Sequence, residues 1–184
     1  FRKANNILEG VKKNLRDEGI PFKEDILVGA MIEVPSAAIT ADMLAEEADF
    51  FSIGTNDLIQ YTLAVDRVNE QTADFYEPCH PAVLRFIKHI VDAGQKANIK
   101  VGICGEMCSE PTYALLLIGL GLDEMSMSAL NILQIKNLIR SVSFEQAKNL
   151  ADQVLKLKSG QEVEDLCRTR LQELVPNIFI PDSK

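Results

Sequence analysis

The pattern that most limits the fold is an alternation. After one leading helix, four short apolar runs are each followed by a helical stretch, and two further helices close the chain. Strands that alternate with helices pair in parallel, because each helix carries the chain back to the start of the next strand. The faces of the runs narrow the choice further. In Phe50-Phe51-Ser52-Ile53-Gly54-Thr55-Asn56-Asp57, Phe51 and Ile53 fall on one side of a period-two pattern, and Ser52, Gly54 and Asn56 on the other. Gly29, Gly102, Ser126 and Ser128 repeat that small side in the other runs. A doubly wound sheet needs apolar bulk on both faces, so four βα units with one small face read as half of an eight-stranded barrel.

In chain order, residues 2–18 place Ala4, Ile7, Leu8, Val11 and Leu15 at helical spacing, with Gly19 and Pro21 as the stop. Leu27 to Val34 reads as a buried strand that Pro35 ends, with Ser36 as the cap of a helix carrying Ile39, Met43, Leu44 and Ala48. A short helix over Leu58 to Val65 leads into a polar loop, Asp66 to Pro81. The pattern then predicts a helix over Ala82 to Ala97, a strand over Lys100 to Glu106 and a helix from Pro111 that is apolar all round, with Gly119 and Gly121 at its end. Glu124 to Ala129 is the fourth strand, followed by helices over Asn131 to Arg140, Phe144 to Leu157 and Gln161 to Leu174.

Composition excludes some functions. A net charge of -8 argues against general binding to nucleic acid or acidic membrane, both of which need basic surface. No apolar run approaches the roughly 20 residues of a membrane span, and no charged-then-apolar leader opens the chain. The four cysteines lack paired Cys-x-x-Cys spacing, which suits free thiols in a reducing, cytoplasmic compartment. The chain opens at Phe1 inside a helix, so residues 1–184 are expected to belong to a longer protein.

In parallel α/β folds, reactive residues gather at the carboxyl ends of strands. Those positions hold Glu33, Asn56 with Asp57, Cys104 with Glu106, and Ser128. Two hard carboxylates on separate strands suit Mg²⁺, which completes its shell from water and substrate phosphate; equally, they suit the starts of the next helices. Cys104 reads as a proton donor or nucleophile, or as a small buried apolar residue. Arg67 reads as a partner for carboxylate or phosphate, or as a surface arginine. His80 and His89 carry little signal, and Gly119-Leu120-Gly121 is a helix stop without the rest of a dinucleotide fingerprint.

Four segments taken together are far more specific: Gly29 to Pro35, Phe51 to Leu58, Ala64 to Arg67 and Gly102 to Glu106. They closely resemble the C-terminal phosphoenolpyruvate-binding domain of the enzyme I family of the bacterial sugar phosphotransferase system. The resemblance implies that residues 1–184 are the second half, strands five to eight, of a TIM (β/α)₈ barrel with C-terminal helices. It implies Glu33 and Asp57 as Mg²⁺ ligands, Asn56, Asp57 and Arg67 as phosphoenolpyruvate-binding residues, and Cys104 as the donor that protonates the enolate to pyruvate. The phosphoryl acceptor would be a histidine on an absent N-terminal domain, which then serves a histidine-containing phosphocarrier protein. Further phosphate-binding arginines would lie on earlier strands, leaving this segment inactive by itself. After Glu106 the chain reads Met107-Cys108-Ser109-Glu110 where the family often has a small and acidic run, so the loop shape departs there.

Pyruvate phosphate dikinase and phosphoenolpyruvate synthase share the barrel and the acidic pair, and stand as the alternative enzymes. A reading from another class is a non-catalytic dimerisation module, because four strands of a barrel leave two open edges. The family's barrel also forms homodimers.

Overall fold

The computed structural model describes residues 1–69 and 71–178. The chain runs α1 (Arg2–Asp17), β1 (Ala30–Ile32), α2 (Pro35–Ile39), α3 (Ala41–Ala45), β2 (Phe50–Gly54), α4 (Thr55–Leu63), α5 (Pro81–Ala97) and β3 (Lys100–Cys104). It continues through α6 (Pro111–Leu120), β4 (Glu124–Ser126), α7 (Ala129–Ser141), α8 (Phe144–Val154) and α9 (Gly160–Leu174), with 3-10 turns at Ala73–Phe75 and Glu106–Ser109.

The four strands pair in sequence order, every neighbour parallel. Phe51 stands between Ala30 and Val101, and Ile53 between Ile32 and Ile103. With right-handed crossovers and no reversal of order, the connecting helices fall on one face of the sheet. That face is the core: Ile32, Phe51, Ile53, Val101 and Ile103 are each at most 1% exposed, beneath Val83, Ile87, Ile90 and Val91 of α5. Each such side chain contributes about 1.5–3 kcal/mol by leaving water. The other face carries the small residues, and a cleft of about 560 Å³ lined by Leu27, Phe50, Ser52, Gly102, Glu124 and Ser126 opens on it.

Helix α6 is buried on every side, with Leu115, Leu116 and Leu117 fully out of solvent. Gly119 does not end it. A Cβ there would stand 2.0 Å from the Ala147 carbonyl oxygen, so this glycine lets α8 close on α6, and Gly121 in the left-handed region makes the turn. Capping boxes at Ser143 with Gln146 and at Ser159 with Glu162 start α8 and α9.

Several predicted boundaries move. The first strand is three residues instead of Leu27 to Val34, because Val28 spends both backbone groups on Asp49: its N–H donates to Oδ2 at 2.6 Å and its carbonyl accepts from Asp49 N at 3.0 Å. Leu27, outside the strand, is exposed, and so is Met31, which lies within β1 opposite Ser52 on the uncovered face. Ser36 is not a cap; Val34 holds that position with Pro35 in the first turn. Helix formation then breaks at Thr40, whose hydroxyl donates to Ser36 O at 2.8 Å, leaving Ile39 and Met43 exposed instead of buried. Helix α1 buries none of its residues, and Ile7 and Val11 face solvent. Glu70, in the polar loop, and residues 179–184 lie outside the described residues.

Candidate active site at the carboxyl ends of the strands

Strand β2 stops at Gly54, and Thr55, Asn56 and Asp57 form the first turn of α4 instead of extending the strand. Thr55 is fully buried, and its hydroxyl donates to the carbonyl oxygen of Cys104 at 2.8 Å, tying the end of β3 to the start of α4. Cys104 is half-buried on the small face. Its thiol donates to Ile53 O at 3.6 Å and accepts from the Ser52 hydroxyl at 3.9 Å, so both contacts come from β2.

The next residue turns the chain. Gly105 has φ +116°, and a Cβ there would lie 2.1 Å from Thr55 Oγ1 and 2.9 Å from Asn56 Oδ1. This turn aims the Glu106 N–H at Asn56 Oδ1, 3.2 Å away, and its carboxylate at Arg67 Nη1, 2.9 Å away. The Tyr76 hydroxyl reaches Asn56 O at 3.5 Å. Burial, with the Glu106 carboxylate second and Asp57 adding to it against Arg67, pushes the Tyr76 phenol up to about 12.

Glu33 follows β1 and leans over the cap of α4: a Cβ on Gly54 would stand 2.8 Å from Glu33 Oε2. Asp57 is the third residue of α4, where the helix dipole favours a carboxylate. Among the described residues, neither carboxylate has a hydrogen-bond or ion-pair partner. No group of three His, Cys, Asp or Glu suited to a metal ion gathers among the described residues. Two oxygen-donor carboxylates near one helix start still fit Mg²⁺, which usually takes one or two carboxylates plus water and phosphate. A cleft of about 360 Å³ at the ends of β3 and β4 is lined by Asn56, Cys104, Gly105, Glu106, Ser126 and Ser128, among others, and neither Glu33 nor Asp57 lines it.

The sequence-predicted residues thus divide. Asn56, Arg67 and Cys104 are joined through Thr55, Gly105 and Glu106, and Glu33 and Asp57 flank the same helix start. Thr55 and Tyr76 escaped the sequence reading: Thr55 follows the glycine that ends a strand, and Tyr76 lies in the long polar loop, which is itself a functional signal. The remaining thiols stay away from the cleft. Burial pushes Cys108 and Cys167 up to about 12, and Cys79 upward as well. His80 caps α5, its Nδ1 accepting from Ala82 N at 3.2 Å, and His89 lies within that helix. Among the described residues, no helix is long and apolar enough to cross a membrane.

Residues 1–144 match the family described as PEP-utilising enzyme, PEP-binding domain. The chain is 49% identical over 173 residues to a phosphoenolpyruvate-protein phosphotransferase of Haemophilus influenzae, covering 94% of this chain and 30% of that protein. It is 46% identical over 166 residues to the protein of the same name from Staphylococcus carnosus, covering 90% and 29%, and 48% identical over 156 residues to that of Enterococcus faecalis, covering 85% and 27%. The chain therefore spans under a third of the length of these relatives. With residues 1–144 of 184 inside the family match, this chain belongs to the PEP-binding domain family of PEP-utilising enzymes.

Proposed function

We propose that the chain supplies the C-terminal half of the phosphoenolpyruvate site of a phosphoenolpyruvate-protein phosphotransferase. In this reading β1 to β4 are the last four strands of a (β/α)₈ barrel and their small face turns toward its axis. The phosphoryl group passes to a histidine on another domain and then to a histidine-containing phosphocarrier protein. The observation that carries the reading is the convergence of Arg67, Asn56 and Cys104 at the carboxyl ends of two adjacent parallel strands, with two carboxylates at the same helix start that have no partner among the described residues.

Each group has a task its geometry supports. Among the described residues only Nη1 of Arg67 is engaged, so the rest of the guanidinium fork is left for phosphoryl oxygens. Asn56 Oδ1 is held by the Glu106 N–H, which leaves the Asn56 amide to donate to substrate. Glu33 and Asp57 would hold Mg²⁺, which when bound supplies a divalent counter-charge to the phosphoryl group. Cleavage of the P–O bond as the P–N bond to histidine forms leaves the enolate of pyruvate. The Cys104 thiol gives its proton to the methylene carbon, a C–H bond forms and pyruvate leaves; the thiolate then regains a proton from water. Ser52 Oγ, 3.9 Å from Sγ, faces the sulfur on which that charge develops.

The experiment is pyruvate release and carrier phosphorylation by the full-length phosphotransferase carrying these residues. Phosphoenolpyruvate and Mg²⁺ should suffice, and Cys104→Ser should slow pyruvate release about 10²–10⁴-fold. A requirement for a nucleotide would transfer the reading to a dikinase or synthase, and activity unchanged in Cys104→Ser would remove the proposed proton donor. The exposed Leu27 and Met31 beside the open sheet face support a second reading, a module that self-associates.

A further inference from the structure

We propose that Glu106 is a positioning residue that sets Arg67 for its ligand, an inference that rests on the phosphoenolpyruvate reading above. Arg67 lies in the loop between α4 and α5. That loop is organised by its own backbone contacts: Asp66 Oδ1 accepts from Val68 N at 2.9 Å, the Thr72 hydroxyl donates to Asp66 O at 3.0 Å, and Asn69 Oδ1 accepts from Gln71 N at 3.0 Å. None of these holds the guanidinium. Among the described residues its hydrogen-bond partner is Glu106 Oε1, thirty-nine residues away.

Glu106 is itself placed with little freedom. Its backbone N–H is committed to Asn56, and the preceding glycine admits no side chain, so the turn fixes where the Glu106 side chain leaves the backbone, and the bond to Arg67 holds its far end. One residue therefore joins three things: the turn that carries Cys104, the amide of Asn56 and the guanidinium of Arg67. The Arg67 and Glu106 side chains are 40% and 76% exposed, and ion pairs as open as this contribute little to stability. Its effect belongs instead to orientation. Held at Nη1 by Glu106, the guanidinium keeps its plane and its remaining donors in one pose; without it, a long flexible side chain must be ordered anew by every substrate molecule.

The test is a double-variant cycle in the full-length phosphotransferase carrying these residues: wild type, Glu106→Gln, Arg67→Ala and both, with Glu106→Asp as the conservative variant. Initial rates are measured against phosphoenolpyruvate concentration. Glu106→Gln should raise KM about 2–5-fold with kcat within about twofold, the range an exposed ion pair can carry. Glu106→Asp should recover part of that loss, and Glu106→Gln should add nothing further in the Arg67→Ala background. Full additivity, an unchanged KM, or a lower KM in Glu106→Gln, the mark of a carboxylate that competes with substrate, would each overturn the proposal while leaving the phosphotransferase reading intact. A wild-type protein that does not use phosphoenolpyruvate would overturn both.

Discussion

The hydroxyl of Thr55, the first residue of α4, donates a 2.8 Å hydrogen bond to the carbonyl oxygen of Cys104, the last residue of β3. The bond fixes two adjacent strand ends against each other. Thr55→Val keeps the shape and removes the donor, leaving that carbonyl without its partner; the expected loss is about 1–3 kcal/mol in urea unfolding. Gly105→Ala should cost more, because the left-handed backbone is strained for alanine and its Cβ strikes Thr55 Oγ1. Equal stability of all three proteins would contradict this account of the strand ends.

Glu33 is placed by the absence of a side chain at Gly54. In Gly54→Ala the new methyl would meet Glu33 Oε2 at 2.8 Å and Glu33 Cβ at 3.0 Å, so the carboxylate must swing away. The carboxylate can rotate away but Glu33 Cβ is fixed to its backbone, so the end of β1 must also give by a few tenths of an ångström and the fold should lose about 1–3 kcal/mol. The Mg²⁺ concentration for half-maximal activity should also rise about 10-fold or more. A variant with unaltered Mg²⁺ dependence would mean that Glu33 is not a ligand.

Alkaline pH should weaken the fold in a defined window. Burial raises the Cys108 and Cys167 thiols from the ordinary 9.0, and the Tyr76 phenol from 10.0, each to about 12. Between those values the folded chain keeps protons that the unfolded chain has released, so stability present below about pH 9 falls as pH rises toward 12. Urea midpoints from pH 8 to pH 11 should show the decline, and Cys108→Ala should flatten it. A midpoint constant over that range would contradict the burial of these groups.

The open sheet face and both sheet edges should drive association of the isolated chain. Met31 is 49% exposed and Leu27 66%, beside a cleft of about 560 Å³. Light scattering at micromolar concentration should give a mass above one chain, and Met31→Glu should lower it. A stable monomer would show that the face is tolerated bare.

Much of this was legible in the sequence, and the reasons differ by residue. The alternation of Phe51 and Ile53 with Ser52 and Gly54 anticipated which sheet face is buried, and the all-round apolar run from Leu115 anticipated a helix buried on every side. Local patterns miss what distant partners decide. Asp49 shortens the first strand by capturing Val28, and Gly119 answers to the backbone of α8, not to the end of its own helix; the split at Thr40 is local, made with Ser36 four residues back. The strand-end residues were identifiable by position, but the link from Arg67 through Glu106 to Asn56 depends on a loop and a positive-φ glycine that no periodicity encodes.

The most direct measurement is calorimetric titration of phosphoenolpyruvate, with and without Mg²⁺, into the full-length phosphotransferase carrying these residues, as wild type and as Glu33→Gln. The account predicts that wild-type affinity falls at least about 10-fold when Mg²⁺ is removed, and that Glu33→Gln binds weakly with or without the metal. Equal wild-type affinity in the two conditions, or a Glu33→Gln variant that still responds to Mg²⁺ as wild type does, would contradict it.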